Sequence, residues 1–163
     1  GWAYVESGQL GNNESNPGLY LSSPVQVAGG KKWSNFTFGR YHHGGVDTDG
    51  KLWSWGYNTG GQVGDNSRVT RSSPIQIGAG TDWKMFQVSR HNTSFGIKTD
   101  GTLWAWGSNQ YYGILGLNQA DATFYSSPIQ IPGTNWDYIY TGGYAAMALM
   151  ELYGHGEVVM LDN

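Results

Sequence analysis

The sequence predicts an all-β protein made of repeated units of about four antiparallel strands, and three observations carry that expectation. The chain of 163 residues holds 26 glycines and is 15% aromatic but only 13% charged. That balance suits tight turns and disfavours helices, because glycine destabilises a helix interior and supplies the positive φ that turns need. Short segments such as "WSNFTFG" at 33–39 and "WKMFQVS" at 83–89 alternate in polarity, with the period of a strand that has one buried face. Finally, the chain repeats itself: "DGKLWSWG" at 49–56 returns as "DGTLWAWG" at 100–107. A unit of about fifty residues built from short strands and glycine turns marks a β-propeller blade.

Within a unit the elements follow in order. "SSPVQV" at 22–27 recurs as "SSPIQI" at 72–77 and 126–131, and is read as leading into a first strand. The alternating segments behind Trp33, Trp83 and Trp136 are a second. "SFGIKTDG" is a third, turning at an Asp-Gly pair expected to form a type I′ hairpin, and "LWAWG" is a fourth. A glycine turn closes the unit as "GQLG" at 8–11, "GQVG" at 61–64 and "GILG" at 113–116. All eight tryptophans, Trp2, Trp33, Trp53, Trp55, Trp83, Trp104, Trp106 and Trp136, fall at repeat positions. Residues two apart share a strand face, so the paired indoles are expected to be structural wedges between blades, with stacking on a sugar or base as the alternative.

The composite "DGxLWxWGxNxxGQLG" with "SPxQI" resembles the regulator of chromosome condensation repeat family, over nearly the whole chain; kelch repeats share the length but lack this succession. The resemblance implies a β-propeller. Its best-known member is a seven-bladed ring that exchanges guanine nucleotide on a small GTPase, and similar repeats occur in bacterial exported and phage structural proteins, whose short, near-identical repeats this chain is closest to in style. The expectation is a single propeller-repeat region over 1–163, with a partial blade at 1–21 and repeats of about 22–71, 72–125 and 126–163. Roughly three blades do not close a ring, which usually takes about 4 to 8. Either the terminal strands are shared, with 157–161 pairing with the N-terminal strand of this or another copy, or the chain is an arc of a longer protein. A chain opening at Gly1 is itself expected to be processed, excised or partial.

The formal charge of -3, with lysines and arginines scattered, supplies no row of cations for phosphates, so nucleic acid is not expected as a partner. With no cysteine, disulfides and thiolate metal sites are excluded. The longest apolar run, "AAMALM" at 145–150, is far short of the roughly 20 residues of a membrane helix, so membrane insertion is not expected. His42 and His43 are adjacent, but the later repeats carry other residues there, and they are read as hydrogen-bonded structural histidines. "DTDG" at 47–50 opens like a calcium loop yet lacks the distal glutamate. No phosphate loop or nucleophile elbow is present, and the expectation is a protein that is not an enzyme and takes no cofactor or metal.

What varies between repeats points to contact. "YNTGGQVGDNSRVTR" at 57–71 corresponds to the longer, more aromatic "SNQYYGILGLNQADATFY" at 108–125. Function on a rigid frame is carried by such loops, and tyrosine and arginine are enriched at interfaces. Tyr57, Arg68, Arg71, Tyr111 and Tyr112 are therefore the candidate partner-binding residues, with capping of neighbouring blades as their structural alternative. The expected partner is a protein or further copies of this chain, and a glycan is a further candidate. A virion or an extracellular setting is favoured.

Overall fold

The computed structural model describes residues 7–15, 22–90, 92–110, 113–118, 123–142, 145–152 and 155–160, the part from 151 onward by backbone alone. Within these residues the regular structure is entirely β. Strands β1 (Trp33–Phe38), β2 (His42–Asp47), β3 (Leu52–Gly56) and β4 (Arg71–Gln76) form one antiparallel sheet in chain order. Strands β5 (Trp83–Val88), β6 (Thr93–Lys98), β7 (Leu103–Ser108) and β8 (Phe124–Ile131) repeat it. A third sheet holds β9 (Trp136–Thr141), β10 (Ala146–Leu152) and β11 (His155–Met160). The first two are the expected four-stranded propeller blades, and the third holds three strands among the described residues.

Two local expectations need correction. The "SSPIQI" strand closes a sheet instead of opening one: Trp53 pairs with Gln76 and Ser54 with Ile75, so the sheets span 33–76 and 83–131. Each sheet therefore begins one strand later than the sequence unit does. The Asp-Gly turn is also not type I′, which needs positive φ at both central residues. Gly50 has φ 77 and Gly101 φ 79, while neither Asp49 nor Asp100 is among the positive-φ residues. Gly50 N–H donates to the Asp47 carbonyl and Asp47 N–H to that of Lys51, each at 3.0 Å, which is a type I turn followed by a left-handed glycine.

The terminal segment pairs within its own sheet. β11 runs antiparallel to β10, Met160 opposite Met147 and His155 opposite Leu152, in the place that "LWxWG" takes in the other blades. Residues 1–6, with Trp2, and Leu161 lie outside the described residues, so the expected pairing of 157–161 with the N-terminal strand is not covered there.

Blades stack through their inner strands, β5 lying against β1 and β2, and β9 against β5 and β6. Between the first two blades, Val46, Leu52 and Ile77 meet Trp83, Phe86, Val88 and Trp106. Between the second and third, Phe95, Ile97, Leu103 and Ala105 meet Trp136, Ile139 and Ala148. Each such aliphatic or aromatic side chain contributes about 1.5–3 kcal/mol when fully buried, so the blade interfaces are the core. Because strands alternate in direction, the connections after β1, β3, β5, β7 and β9 all emerge at one end, the long-loop end. Those after β2, β4, β6 and β8 emerge at the opposite, short-turn end.

Candidate functional site

The repeated tryptophans are framework. Trp55 and Trp106 are fully buried, and Trp83 and Trp136 nearly so. Trp83 touches both indoles of the following pair, Trp104 at 6.3 Å and Trp106 at 6.1 Å between centroids, while Phe86 stacks on Trp106 at 5.6 Å. Trp33 reaches Trp55 at 5.9 Å in the same way. The outer indoles, Trp53 and Trp104, are half-buried, and their N–H groups are used at 2.8 Å by the Asp47 carboxylate and at 2.9 Å by Thr102 Oγ1.

The glycine turns clasp one blade onto the next. Trp55 Nε1–H donates to the Gln9 carbonyl at 3.0 Å, and Trp106 Nε1–H to the Gln62 carbonyl at 3.1 Å. A Cβ at Gly11 would stand 2.5 Å from Nε1 of Trp55, and Gly64 faces Trp106 in the same way, so only glycine lets the turn approach the indole. The second clasp extends inward. Ser94 Oγ–H donates to the same Gln62 carbonyl at 2.7 Å, which leaves its oxygen to accept from His42 Nε2–H at 2.8 Å. His42 is therefore a neutral imidazole joining two blades, and burial, with a smaller push from His43, lowers its pKa to about 3.

Asp47, the first residue of the apparent calcium loop, accepts from the Lys51 amide at 2.9 Å, the Asp49 amide at 3.0 Å and the Trp53 indole. Burial opposes its ionisation, but those donors outweigh it and hold the carboxyl below its ordinary value. Its oxygens are thereby engaged in fixing the turn.

The candidate contact residues gather at the long-loop end. The Tyr57 ring lies 5.8 Å from that of Tyr41. Arg68 Nε–H donates to the Thr59 carbonyl at 2.5 Å, and its guanidinium carbon sits 4.6 Å from the Phe124 ring centroid. Tyr57, Arg68, Asn92, Gln110 and Phe124 line one groove of about 250 Å³ between the first two blades. Arg71 has a different placement: its guanidinium is paired with Asp65 at 2.5 Å and reaches Ser67 Oγ at 3.4 Å, bracing the loop from within. Tyr111 and Tyr112 lie outside the described residues. Sequence reasoning missed Arg40 and Arg90, although both follow their repeat tryptophan at the same distance, a recurrence that would have revealed them.

A model of the regulator of chromosome condensation repeat matches residues 49–93. Human protein RCC2 is 38% identical over 89 residues, covering 53% of this chain and 16% of its own length. The mitochondrial RCC1 domain-containing protein RUG3 of Arabidopsis thaliana is 30% identical over 125 residues, covering 75% of this chain and 28% of its own length. Prp20p of Saccharomyces cerevisiae superposes with a TM-score of 0.75 at 18% identity, over 99% of this chain and 40% of that one, a likeness of fold. The chain thus spans well under half the length of each.

Proposed function

Since this chain is built of regulator of chromosome condensation repeats, we propose that it is a non-enzymatic β-propeller module that holds a protein partner on its long-loop end. One observation carries this reading: the repeated aromatics are buried as framework, while Tyr57 and Arg68, from the segment that varies between repeats, line an open groove. Tyrosine and arginine are the residues interfaces favour, and a rigid frame with variable loops is the usual arrangement for recognition. Prp20p, described with its binding to Gsp1p and histones, supports reading such a propeller as a docking platform. Tyr111 and Tyr112, on the corresponding connection of the next blade, belong to the same proposed surface, and Arg71 supports it by ordering the loop. The larger assembly is read as a virion or an exported bacterial protein. Exchange of guanine nucleotide on a small GTPase is the competing reading, and glycan adhesion a third.

A photo-crosslinking residue placed at Tyr57 is expected to trap a second protein, and one at Asp49 on the short-turn end is not. Equal trapping at both ends would sink the proposal. Acceleration of nucleotide release from any member of a GTPase panel would favour the competing reading.

Self-association is a second reading, favoured by apolar side chains left exposed on the two outer blade faces. Phe38 beside the tryptophan face of the first blade is 70% exposed, and Tyr138 and Tyr140 on the far face of the third are 38% and 55% exposed. Inside the chain a tryptophan face always packs on the opposite kind of face, so these two are complementary halves of a head-to-tail contact.

A further inference from the structure

Arg40 and Arg90 hold the same station in consecutive repeats, on the connections that leave β1 and β5 at the long-loop end. Because β1, β5 and β9 are neighbouring edge strands, these connections converge. They border a cavity of about 500 Å³ whose lining includes Thr37, Phe38, Arg40, Gln87, Arg90 and Thr141. Its floor is tied across blades: Thr37 Oγ1–H donates to Gln87 Oε1 at 3.1 Å, and Thr141 Oγ1–H to the Val88 carbonyl at 2.9 Å. Both arginines are exposed. The Arg40 guanidinium carbon lies 4.7 Å from the Tyr41 ring centroid, and among the described residues neither arginine has a carboxylate in ion-pair range.

Arginine and lysine are sorted between the two ends. All four arginines of the sequence, Arg40, Arg68, Arg71 and Arg90, fall at the long-loop end. All five lysines fall at the short-turn end together with Asp47, Asp49, Asp82, Asp100 and Asp137, where Lys51–Asp49, Lys84–Asp137 and Lys98–Asp82 pair off. Arg71 is engaged by Asp65, and Arg68 by Thr59 and Phe124. That leaves Arg40 and Arg90 as the pair of exposed forked donors beside the open ring of Phe38.

We infer that this mouth docks an acidic peptide segment of a protein partner: two carboxylates meet Arg40 and Arg90, and an apolar side chain between them rests on Phe38. Guanidinium groups match carboxylates bidentately, which gives both charge and geometry. Two cations in a cavity do not make the row that a nucleic-acid backbone requires, and the chain as a whole is acidic, with a pI of 5.7. The inference rests on the reading of the long-loop end as the contact face and names the chemistry it selects.

The probe is a fluorescein-labelled peptide of alternating Glu and Phe, compared with its Gln and Lys counterparts and with a single-stranded oligonucleotide of equal charge, by anisotropy on the whole chain. Saturable binding of the Glu peptide alone is expected, weakening about tenfold in Arg40→Ala/Arg90→Ala and only partly restored in Arg40→Lys/Arg90→Lys, which keeps the charge but loses the fork. Lys32→Ala, at the opposite end, should leave it unchanged. Near-ultraviolet tryptophan dichroism matching that of the parent chain certifies that the variants are folded. Absent binding of the Glu peptide, indifference to both arginines, or tighter binding of the oligonucleotide overturns the inference. Trapping at Tyr57 alongside any of those results would leave the contact face standing and remove only its acidic ligand.

Discussion

His42 shows how a residue that looks reactive becomes structural. Its neighbours in the chain suggest a metal or a base, yet Nε2–H is donated to Ser94 Oγ inside the first blade interface, and the ring is fully buried. Its folded pKa of about 3 lies below the ordinary 6.5, so between those values the unfolded chain binds a proton that the folded chain refuses. Stability linked to His42 is thus fully present above pH 6.5 and is lost progressively as the pH falls toward 3. His42→Thr, which copies Thr93 at the matching position of β6, is expected to flatten the fall in thermal midpoint over that window. A parallel shift at every pH would show that the imidazole is protonated or solvated in the folded protein.

The connection from β3 to β4 behaves as a braced element. Asp65 takes hydrogen bonds from Ser67, Asn58 and Arg71, and they hold its carboxyl below the ordinary value even though burial opposes ionisation. Its stabilising contribution is present above the unfolded value near 3.8 and disappears as the pH falls through the lower folded value. In Arg71→Ala, amide exchange at 58–70 should rise at neutral pH while exchange in β5 to β7 stays slow; unchanged exchange in the loop would contradict the bracing role. The inner strands β1, β5 and β9 were legible in the sequence because each opens on a tryptophan followed by alternating residues, although the bulge behind Trp33 and Trp83 was not. What the sequence did not disclose was pairing. "SSPIQI" reads identically whether it opens a blade or closes one, and only the register with "LWSWG" decides. Arg71 looked like Arg68 in sequence, because nothing local says that one guanidinium meets Asp65 while the other reaches Thr59 and Phe124. The shared environment of Arg40 and Arg90 likewise needs β1 and β5 side by side.

Across the molecule, three blades leave Phe38 exposed beside the clasped tryptophan face at one side and Tyr138 and Tyr140 at the other. Under the proposed self-association, two such non-identical faces would meet head to tail, and closure would depend on the rotation between copies. Light scattering should show concentration-dependent growth in mass that Tyr140→Glu suppresses; a monomer at all concentrations would leave only the partner-docking role. The central claim is that tryptophans returning about every fifty residues hold blades together, and the thermal midpoint of Trp106→Phe tests it most directly. Losing the hydrogen bond to Gln62 and part of a buried indole should cost about 1–3 kcal/mol, which lowers the midpoint by about 3–8 °C in a chain of this size. A midpoint equal to that of the parent chain would mean that the repeated indoles are not the wedges between blades.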